Sequence, residues 1–190
     1  GSGAIAGYEM LREYQLADVI RVMSRRAERT FLERGVPAEK LVVATPPIDP
    51  ARLPRARFDG PRFRVSFVGL IEPWKGFHHL LEAFGRLRLP EAELVLWGGS
   101  GSRAATRLIR SWQERGPAVE VRPVSVSADP AGTVATSHVL VHPSLADGFS
   151  YAVAEAMACG VPVIVTDNTG AADLVTDGES GYVIRGGDVE

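Results

Sequence analysis

The chain from about residue 62 onward alternates short apolar runs with stretches of mixed polarity. The apolar runs are four to six residues long and rich in β-branched side chains. They are Arg64–Gly69, Glu93–Trp97, Val119–Arg122, His138–His142, Val161–Thr166 and Gly181–Ile184. Such runs predict parallel strands that are buried on both faces.

The stretches between these runs carry helical patterns. Helices are predicted over Phe77–Leu87, Ala104–Arg115 and Tyr151–Cys159, the last with Ser150 as N-cap and Gly160 just beyond its C-terminus. Strands that alternate with helices form right-handed βαβ units. The predicted fold class is therefore α/β, with a Rossmann-like doubly wound parallel sheet.

The first fifty residues follow a different pattern. Two helices and two strands are predicted there: Tyr8–Ala17, Ser24–Arg34, Val19–Val22 and Leu41–Ala44. These elements are too few for an independent α/β domain, and a proline-rich stretch without a clear period follows them. We therefore expect residues 1–50 to be the tail of a preceding domain, 51–61 to be a linker, and 62–190 to be the main domain.

Composition narrows the class of protein. The 190 residues are 45% hydrophobic and 23% charged, which is typical of a globular chain and excludes a disordered one. A net charge of -2 argues against nucleic acid as a partner. The single cysteine, Cys159, has no internal disulfide partner, and the sequence shows neither a signal peptide pattern nor an apolar run of spanning length. These features predict a cytoplasmic protein.

Three loops leave predicted strand ends and enter helices, at residues 69–76, 98–102 and 143–150. In an open parallel sheet, ligands bind outside the carboxyl ends of the strands, so these loops are expected to converge on one crevice. Together they offer Lys75, several glycines and a helix N-terminus. Those groups favour a phosphate ligand.

Two acidic residues flank the start of the third predicted helix. Asp147 lies just before the helix, and Glu155 lies within it on the same face as Tyr151. Glu155 fits either a solvated edge position or a carboxylate that accepts hydrogen bonds from ligand hydroxyls, such as a ribose diol. The spacing alone leaves both interpretations open.

The ordered series of motifs resembles retaining glycosyltransferases of family 4, which have the GT-B fold. The motifs are HPSLADGFSYAVAEAMACGVPVIVTDNTGAADLV, VGLIEPWKGFHHLLEAF and LADVIRVMSRRAERTFLERGVPAEKLVVATPPID. The resemblance covers nearly the whole chain after residue 8. It implies the C-terminal half of a GT-B glycosyltransferase, 62–190 being the nucleotide-sugar donor-binding domain, truncated at its C-terminus. It also implies sugar transfer from a nucleotide-diphosphate sugar with retention of configuration.

The resemblance implies a role for each matching position. Lys75 would bind the donor pyrophosphate, Asp147 would contact the donor sugar, and Glu155 would contact the nucleotide ribose; these three are the candidate catalytic residues. The remaining candidate donor-binding residues lie in the three loops and at the helix start, where backbone amides would face the sugar or phosphate. They are Gly69, Gly99, Gly148, Phe149, Ser150 and Tyr151.

The sequence departs from the family pattern at several positions, of which three concern the expected donor site. Asp147 stands where the family usually has Glu, and Leu70 stands where it commonly has Arg. Thr169 replaces one glycine of a Gly-Gly pair, of which Gly170 remains. The shorter acid and the missing cation predict weaker or altered contacts to the sugar and the diphosphate.

The expected partners follow from these assignments. The donor would be a UDP-, GDP- or ADP-linked sugar, and the acceptor a carbohydrate or a lipid-linked molecule. No metal or other cofactor is expected, because the sequence has no Asp-x-Asp pair and no His/Cys cluster with ligand spacing. No nucleic acid partner is expected, and any peripheral membrane association would involve parts outside this chain.

Three alternatives stay open. In GT-B enzymes donor and acceptor meet between two domains, so the chain alone would bind nucleotide sugar and transfer little or none. Gly99–Ala104 fits the dinucleotide pattern G-x-G-x-x-A, with Glu120 further on, but it follows the second predicted strand of the sheet rather than the first. A glycosidase would also use two carboxylates, but it would leave the phosphate-binding loops unexplained.

Overall fold

The computed structural model describes residues 12–58, 60–99, 102–115, 118–122 and 130–189. The contacts between residues divide the chain into two compact units, Gly1–Pro47 and Ile48–Glu190. Each unit is described by itself.

The first unit contains two parallel strands that are connected in the chain by a helix. Strand β1 (Ile20–Val22) lies beside β2 (Leu41–Val43). Helix α1 (Arg25–Leu32) begins where predicted, because the Ser24 side chain accepts a hydrogen bond from the Ala27 amide at 3.0 Å. Residues 12–16 are also helical, whereas residues 8–11 of the predicted first helix lie outside the described residues.

The second unit contains a parallel sheet of six strands. The strands are β3 (Phe63–Val68), β4 (Ala92–Trp97), β5 (Ala118–Arg122), β6 (Val139–His142), β7 (Val163–Thr166) and β8 (Gly181–Ile184). Their spatial order is β5-β4-β3-β6-β7-β8, and every neighbouring pair is parallel.

Helices cover both faces of this sheet. They are α2 (Phe77–Leu87), α3 (Arg103–Arg115), α4 (Pro130–Val134) and α5 (Tyr151–Cys159). Successive residues of a strand point to opposite faces, and Val141 packs in a core with α2 and α3 while Leu140 packs in a second core with α5. The doubly wound arrangement predicted from the sequence is therefore confirmed.

The strand order creates a switch point between β3 and β6. The chain begins the sheet at β3, moves outward to β5 and then returns to β6 on the other side of β3. The connections from β3 and β6 therefore run in opposite directions across the sheet. The crevice that this leaves at the carboxyl ends of the two strands is where open α/β sheets bind ligands.

The observed elements refine the sequence predictions. The six predicted strands end within two residues of the observed bounds, and α2 and α5 match theirs. Helix α4 was not predicted, because its five residues, PAGTV, combine a proline with a glycine. None of the helices in the described part of the chain is long and apolar enough to cross a bilayer.

The predicted linker, residues 51–61, belongs to the second unit. The Ala56 amide donates to the Cys159 carbonyl at 2.7 Å, and the Arg57 amide donates to the Ala135 carbonyl at 2.6 Å. Leu53 and Ala56 also pack against the core that contains α5. The boundary between the two units thus falls after Pro47, before residues 51–61. The assignment of 1–50 as a domain tail, 51–61 as a linker and 62–190 as the main domain stays a prediction.

Candidate functional site

The loops that follow β3 and β4 are joined at the carboxyl edge of the sheet. The Gly69 amide donates to the Trp97 carbonyl at 3.0 Å, and the Ile71 amide donates to the Gly99 carbonyl at 2.9 Å. A Cβ atom on Gly98 would lie 1.8 Å from the Gly69 carbonyl oxygen. This close approach requires glycine at position 98.

The loop that follows β6 meets the loop that follows β3. The Leu145 amide donates to the Trp74 carbonyl at 2.9 Å. Gly76 has a φ of +72°, and a Cβ atom there would lie 1.8 Å from the Pro143 carbonyl oxygen. The predicted convergence of the loops is thus confirmed for their described residues, while Ser100 and Gly101 of the second loop lie outside them.

Lys75 and Asp147 form an ion pair across the switch point. Lys75 ends a short 3₁₀ turn, Pro73–Lys75, and its Nζ lies 2.6 Å from Oδ2 of Asp147. The same Nζ lies 4.3 Å from the centre of the Trp74 ring, which is a cation–π distance. Only 13% of the Lys75 side chain and 12% of the Asp147 side chain are exposed. The lysine is therefore held at the crevice.

The backbone of Asp147 is fixed by the segment that follows β7. Its amide donates to the Asn168 carbonyl at 3.2 Å, and its carbonyl accepts from the Gly170 amide at 2.8 Å. Asp147 and Thr169 form an isolated parallel bridge. This fourth segment was not predicted to join the site, and its Thr169 is one of the departures from the family pattern.

A histidine is the second side chain in contact with the Asp147 carboxylate. Nε2 of His142, the last residue of β6, lies 3.0 Å from the same Oδ2 that contacts Lys75. Burial alone would raise the pKa of Asp147, but the hydrogen bonds from His142 and Lys75 and the charge of Lys75 lower it by more. The net effect is a pKa below the usual aspartate value, so the carboxylate is ionised at neutral pH.

The N-terminus of α5 lies directly after Asp147 in the chain. Ser150 caps the helix by accepting a hydrogen bond from the Val153 amide at 3.4 Å, and Gly160 ends it with a φ of +86°. Phe149 is buried, and its ring meets the half-exposed Tyr151 ring edge-on at 5.5 Å. The first turn of a helix leaves amide groups without intrahelical partners, which makes it suitable for binding an anion.

The remaining candidate residues have less distinctive surroundings. Glu155 is partly buried on α5, one turn after the exposed Tyr151, and Gly148 is exposed beside Asp147. Leu70, which replaces the usual arginine, is 55% exposed. The ligand contacts expected of these residues stay predictions. Within the described ranges, no group of three or more His, Cys, Asp or Glu side chains could hold a metal ion.

The sequence matches one family model, that of the glycosyl transferases group 1, over residues 53–190. This span covers more than half of the chain. The chain belongs to the glycosyl transferases group 1 family. The matched residues include the six-stranded sheet, the loops at its carboxyl edge and α5.

Curated relatives of the family include D-inositol 3-phosphate glycosyltransferases. The protein of Paenarthrobacter aurescens is 30% identical over 130 residues, which cover 65% of this chain and 32% of that protein. The protein of Mycobacterium bovis is 29% identical over 177 residues, which cover 90% of this chain and 32% of that protein. The chain thus spans about a third of the length of these relatives.

Solved structures confirm the GT-B relationship of the fold. HepE of Anabaena in complex with UDP-glucose has a TM-score of 0.81 at 23% identity, covering 90% of this chain and 51% of that one. Sucrose-phosphate synthase from Thermosynechococcus elongatus has a TM-score of 0.77 at 23% identity, covering 96% of this chain and 50% of that one. The chain therefore corresponds in fold to about half of these proteins.

Proposed function

We propose that the second unit binds the nucleotide-diphosphate sugar donor of a retaining glycosyltransferase and that this chain supplies the donor-binding half of that enzyme. The observation that carries this proposal is the Lys75–Asp147 pair, whose members come from the two strands that flank the switch point. This is the position at which doubly wound sheets bind nucleotides. The expected weak or absent activity of the chain alone is part of the same proposal.

The phosphates of the donor would lie between Lys75 and the N-terminus of α5. When the bond between sugar and diphosphate breaks, negative charge grows on the bridging phosphate oxygen. A fixed ammonium group and helix amides stabilise that charge in the transition state. Lys75 is suited to this role because its side chain is already held at the crevice by Asp147 and Trp74. No metal ion is required in this arrangement.

The sugar and the ribose would contact the two carboxylates. Both described contacts of the Asp147 carboxylate are on Oδ2. An ionised carboxylate has further acceptor capacity, which Oδ1 can offer to a hydroxyl of the donor sugar. Glu155 is assigned to the ribose diol, and the amides of Phe149, Ser150 and Tyr151 to the phosphate or sugar.

The ion pair has a consequence for donor affinity. A diphosphate that approaches Lys75 competes with Asp147 for the same ammonium group. The three N–H donors of that group allow it to bridge both anions. We therefore expect the Lys75–Asp147 distance to lengthen when the donor binds, while the lysine remains within reach of both.

Calorimetric titration of the 190-residue chain tests the proposal. UDP-glucose is the first probe, because HepE of Anabaena binds it in a structure of the same fold; GDP-glucose, ADP-glucose and NADH complete the panel. Saturable binding of one nucleotide sugar without binding of NADH would support the proposal. Binding of NADH alone, or of no nucleotide sugar, would overturn it. Sugar transfer and retention of configuration are then measured with the full-length protein and an acceptor.

A further inference from the structure

His142 is a buried polar residue at the crevice, and it is not among the predicted site residues. Its side chain is 2% exposed and lies at the end of β6, between β3 and β7. In the register of the sheet it is paired with the apolar Val165. Among the described residues, Lys75 is the one other charged side chain in contact with the His142–Asp147 pair.

The hydrogen bond fixes which ring nitrogen carries the proton. An ionised carboxylate only accepts hydrogen bonds, so the 3.0 Å contact to Asp147 Oδ2 requires a hydrogen on Nε2 of His142. Nδ1 of the same ring is buried and has no hydrogen-bond partner among the described residues. A hydrogen on Nδ1 would be a buried donor without an acceptor, which is unfavourable. The geometry therefore favours the neutral ring with its hydrogen on Nε2.

The two partners of Asp147 differ in how firmly the fold holds them. Lys75 reaches Oδ2 through a long flexible side chain from a loop, whereas His142 reaches it through a short rigid ring from a buried strand. An amine that turns toward a diphosphate weakens its contact with Asp147. The imidazole contact does not depend on that movement.

We propose that His142 is a positioning residue, which holds the Asp147 carboxylate through Nε2 while Lys75 turns its charge toward the donor diphosphate. This role rests on the proposed function. It gives Asp147 a fixed orientation toward the sugar in the donor complex. The loss of His142 should then weaken the contacts to the sugar more than the contacts to the nucleotide.

Two isosteric variants separate positioning from packing. In His142→Gln the side-chain amide nitrogen replaces Nε2, and in His142→Asn it replaces Nδ1. Calorimetry is run with UDP-glucose and with UDP on wild type and both variants. We expect His142→Asn to weaken UDP-glucose binding about five- to tenfold, with UDP changed by less than about twofold, and His142→Gln to stay within about twofold of wild type for both. Equal losses in both variants, equal losses for UDP and UDP-glucose, or no loss in His142→Asn would overturn the proposal.

Spectroscopy of the ligand-free chain tests the same role independently of the donor. The imidazole ¹⁵N shifts of wild type should show a protonated Nε2 and an unprotonated Nδ1. The Asp147 carboxyl ¹³C shift should change in His142→Asn and stay close to wild type in His142→Gln. A hydrogen on Nδ1 instead of Nε2, or an Asp147 ¹³C shift that is the same in wild type and both variants, would overturn the proposal. This holds even if the chain binds no nucleotide sugar. If the expected shifts are seen but the chain binds no nucleotide sugar, the contact between His142 and Asp147 is supported and the proposed donor-binding function is wrong.

Discussion

Nζ of Lys75 and Oδ2 of Asp147 lie 2.6 Å apart although 72 residues separate them in the chain. One residue follows the first strand of the six-stranded sheet, and the other follows the fourth. The two strands are neighbours because the chain returns to the centre of the sheet after β5. The pair therefore depends on the doubly wound topology as much as on the two loops.

Removal of the lysine charge should weaken donor binding. We expect Lys75→Ala to lower the affinity for UDP-glucose about tenfold or more, because a charge-assisted contact to phosphate contributes about 1.5–3 kcal/mol. Arg86→Ala is the matched control, since Arg86 is an exposed cation on α2 whose ion pair is with Glu82. Calorimetry with UDP-glucose measures both variants. A Lys75→Ala affinity equal to that of the control would contradict the phosphate assignment.

The ribose assignment of Glu155 has its own test. Glu155→Ala should weaken UDP and UDP-glucose to a similar extent, about fivefold or more, because both ligands contain the ribose that the carboxylate would contact. The exposed Glu179 provides a control of equal charge, and Glu179→Ala should bind both ligands as wild type does. If calorimetry shows unchanged affinity in Glu155→Ala, Glu155 does not contact the ribose.

Two adjacent glycines test the contact between the loops after β3 and β4. Gly98→Ala places a Cβ atom 1.8 Å from the Gly69 carbonyl oxygen, whereas a Cβ atom on Gly99 meets nothing within 4 Å. We expect Gly98→Ala to lower the free energy of unfolding by about 2 kcal/mol or more, and Gly99→Ala to change it by less than about 0.5 kcal/mol. Thermal denaturation of the two variants gives the comparison. Similar melting temperatures would show that the loops do not approach as described.

The surroundings of Asp147 predict a pH dependence of stability. A carboxyl group whose pKa is lower in the folded chain stabilises the fold above its unfolded pKa, about 3.9, and that contribution is lost as the pH falls through the folded pKa. The pKa of Asp147 is lowered by its hydrogen bonds to His142 and Lys75, which outweigh burial, so this direction applies. Urea denaturation of wild type and Asp147→Asn should show a stability difference at pH 6 that shrinks below about pH 4. A difference that is constant over this range would contradict the assignment.

The sheet could be predicted from the sequence because each buried strand is a short apolar run bounded by polar or turn residues. Helix α5 was predictable for a related reason, since Ser150 and Gly160 mark its two ends. Short elements gave no such signal. The 3₁₀ turns Pro73–Lys75 and Gly170–Leu174 lie within loops and have no hydrophobic period of their own.

The site was predicted in outline but not in its contacts. Lys75 and Asp147 were each found from a family motif, but their pairing depends on strand order. His142 could be placed near the crevice because it ends a predicted strand, but nothing in its local sequence indicates that Nε2 faces a carboxylate five residues later. Prolines mark irregular backbone whether or not that backbone packs against a core, so the sequence did not indicate the contacts that Ala56 and Arg57 make.

Backbone chemical-shift mapping tests the central claim most directly. The ¹⁵N-labelled chain is titrated with UDP-glucose, and the amide shifts are followed for the loops after β3 and β6 and for the start of α5. We predict the largest changes at Gly69, Lys75, Gly148 and Ser150, with little change in the β1–β2 pair. Saturable shifts that cluster elsewhere, for example on the exposed face of α3, or an absence of shifts with every one of UDP-, GDP- and ADP-glucose, would contradict a donor site at the switch point between β3 and β6.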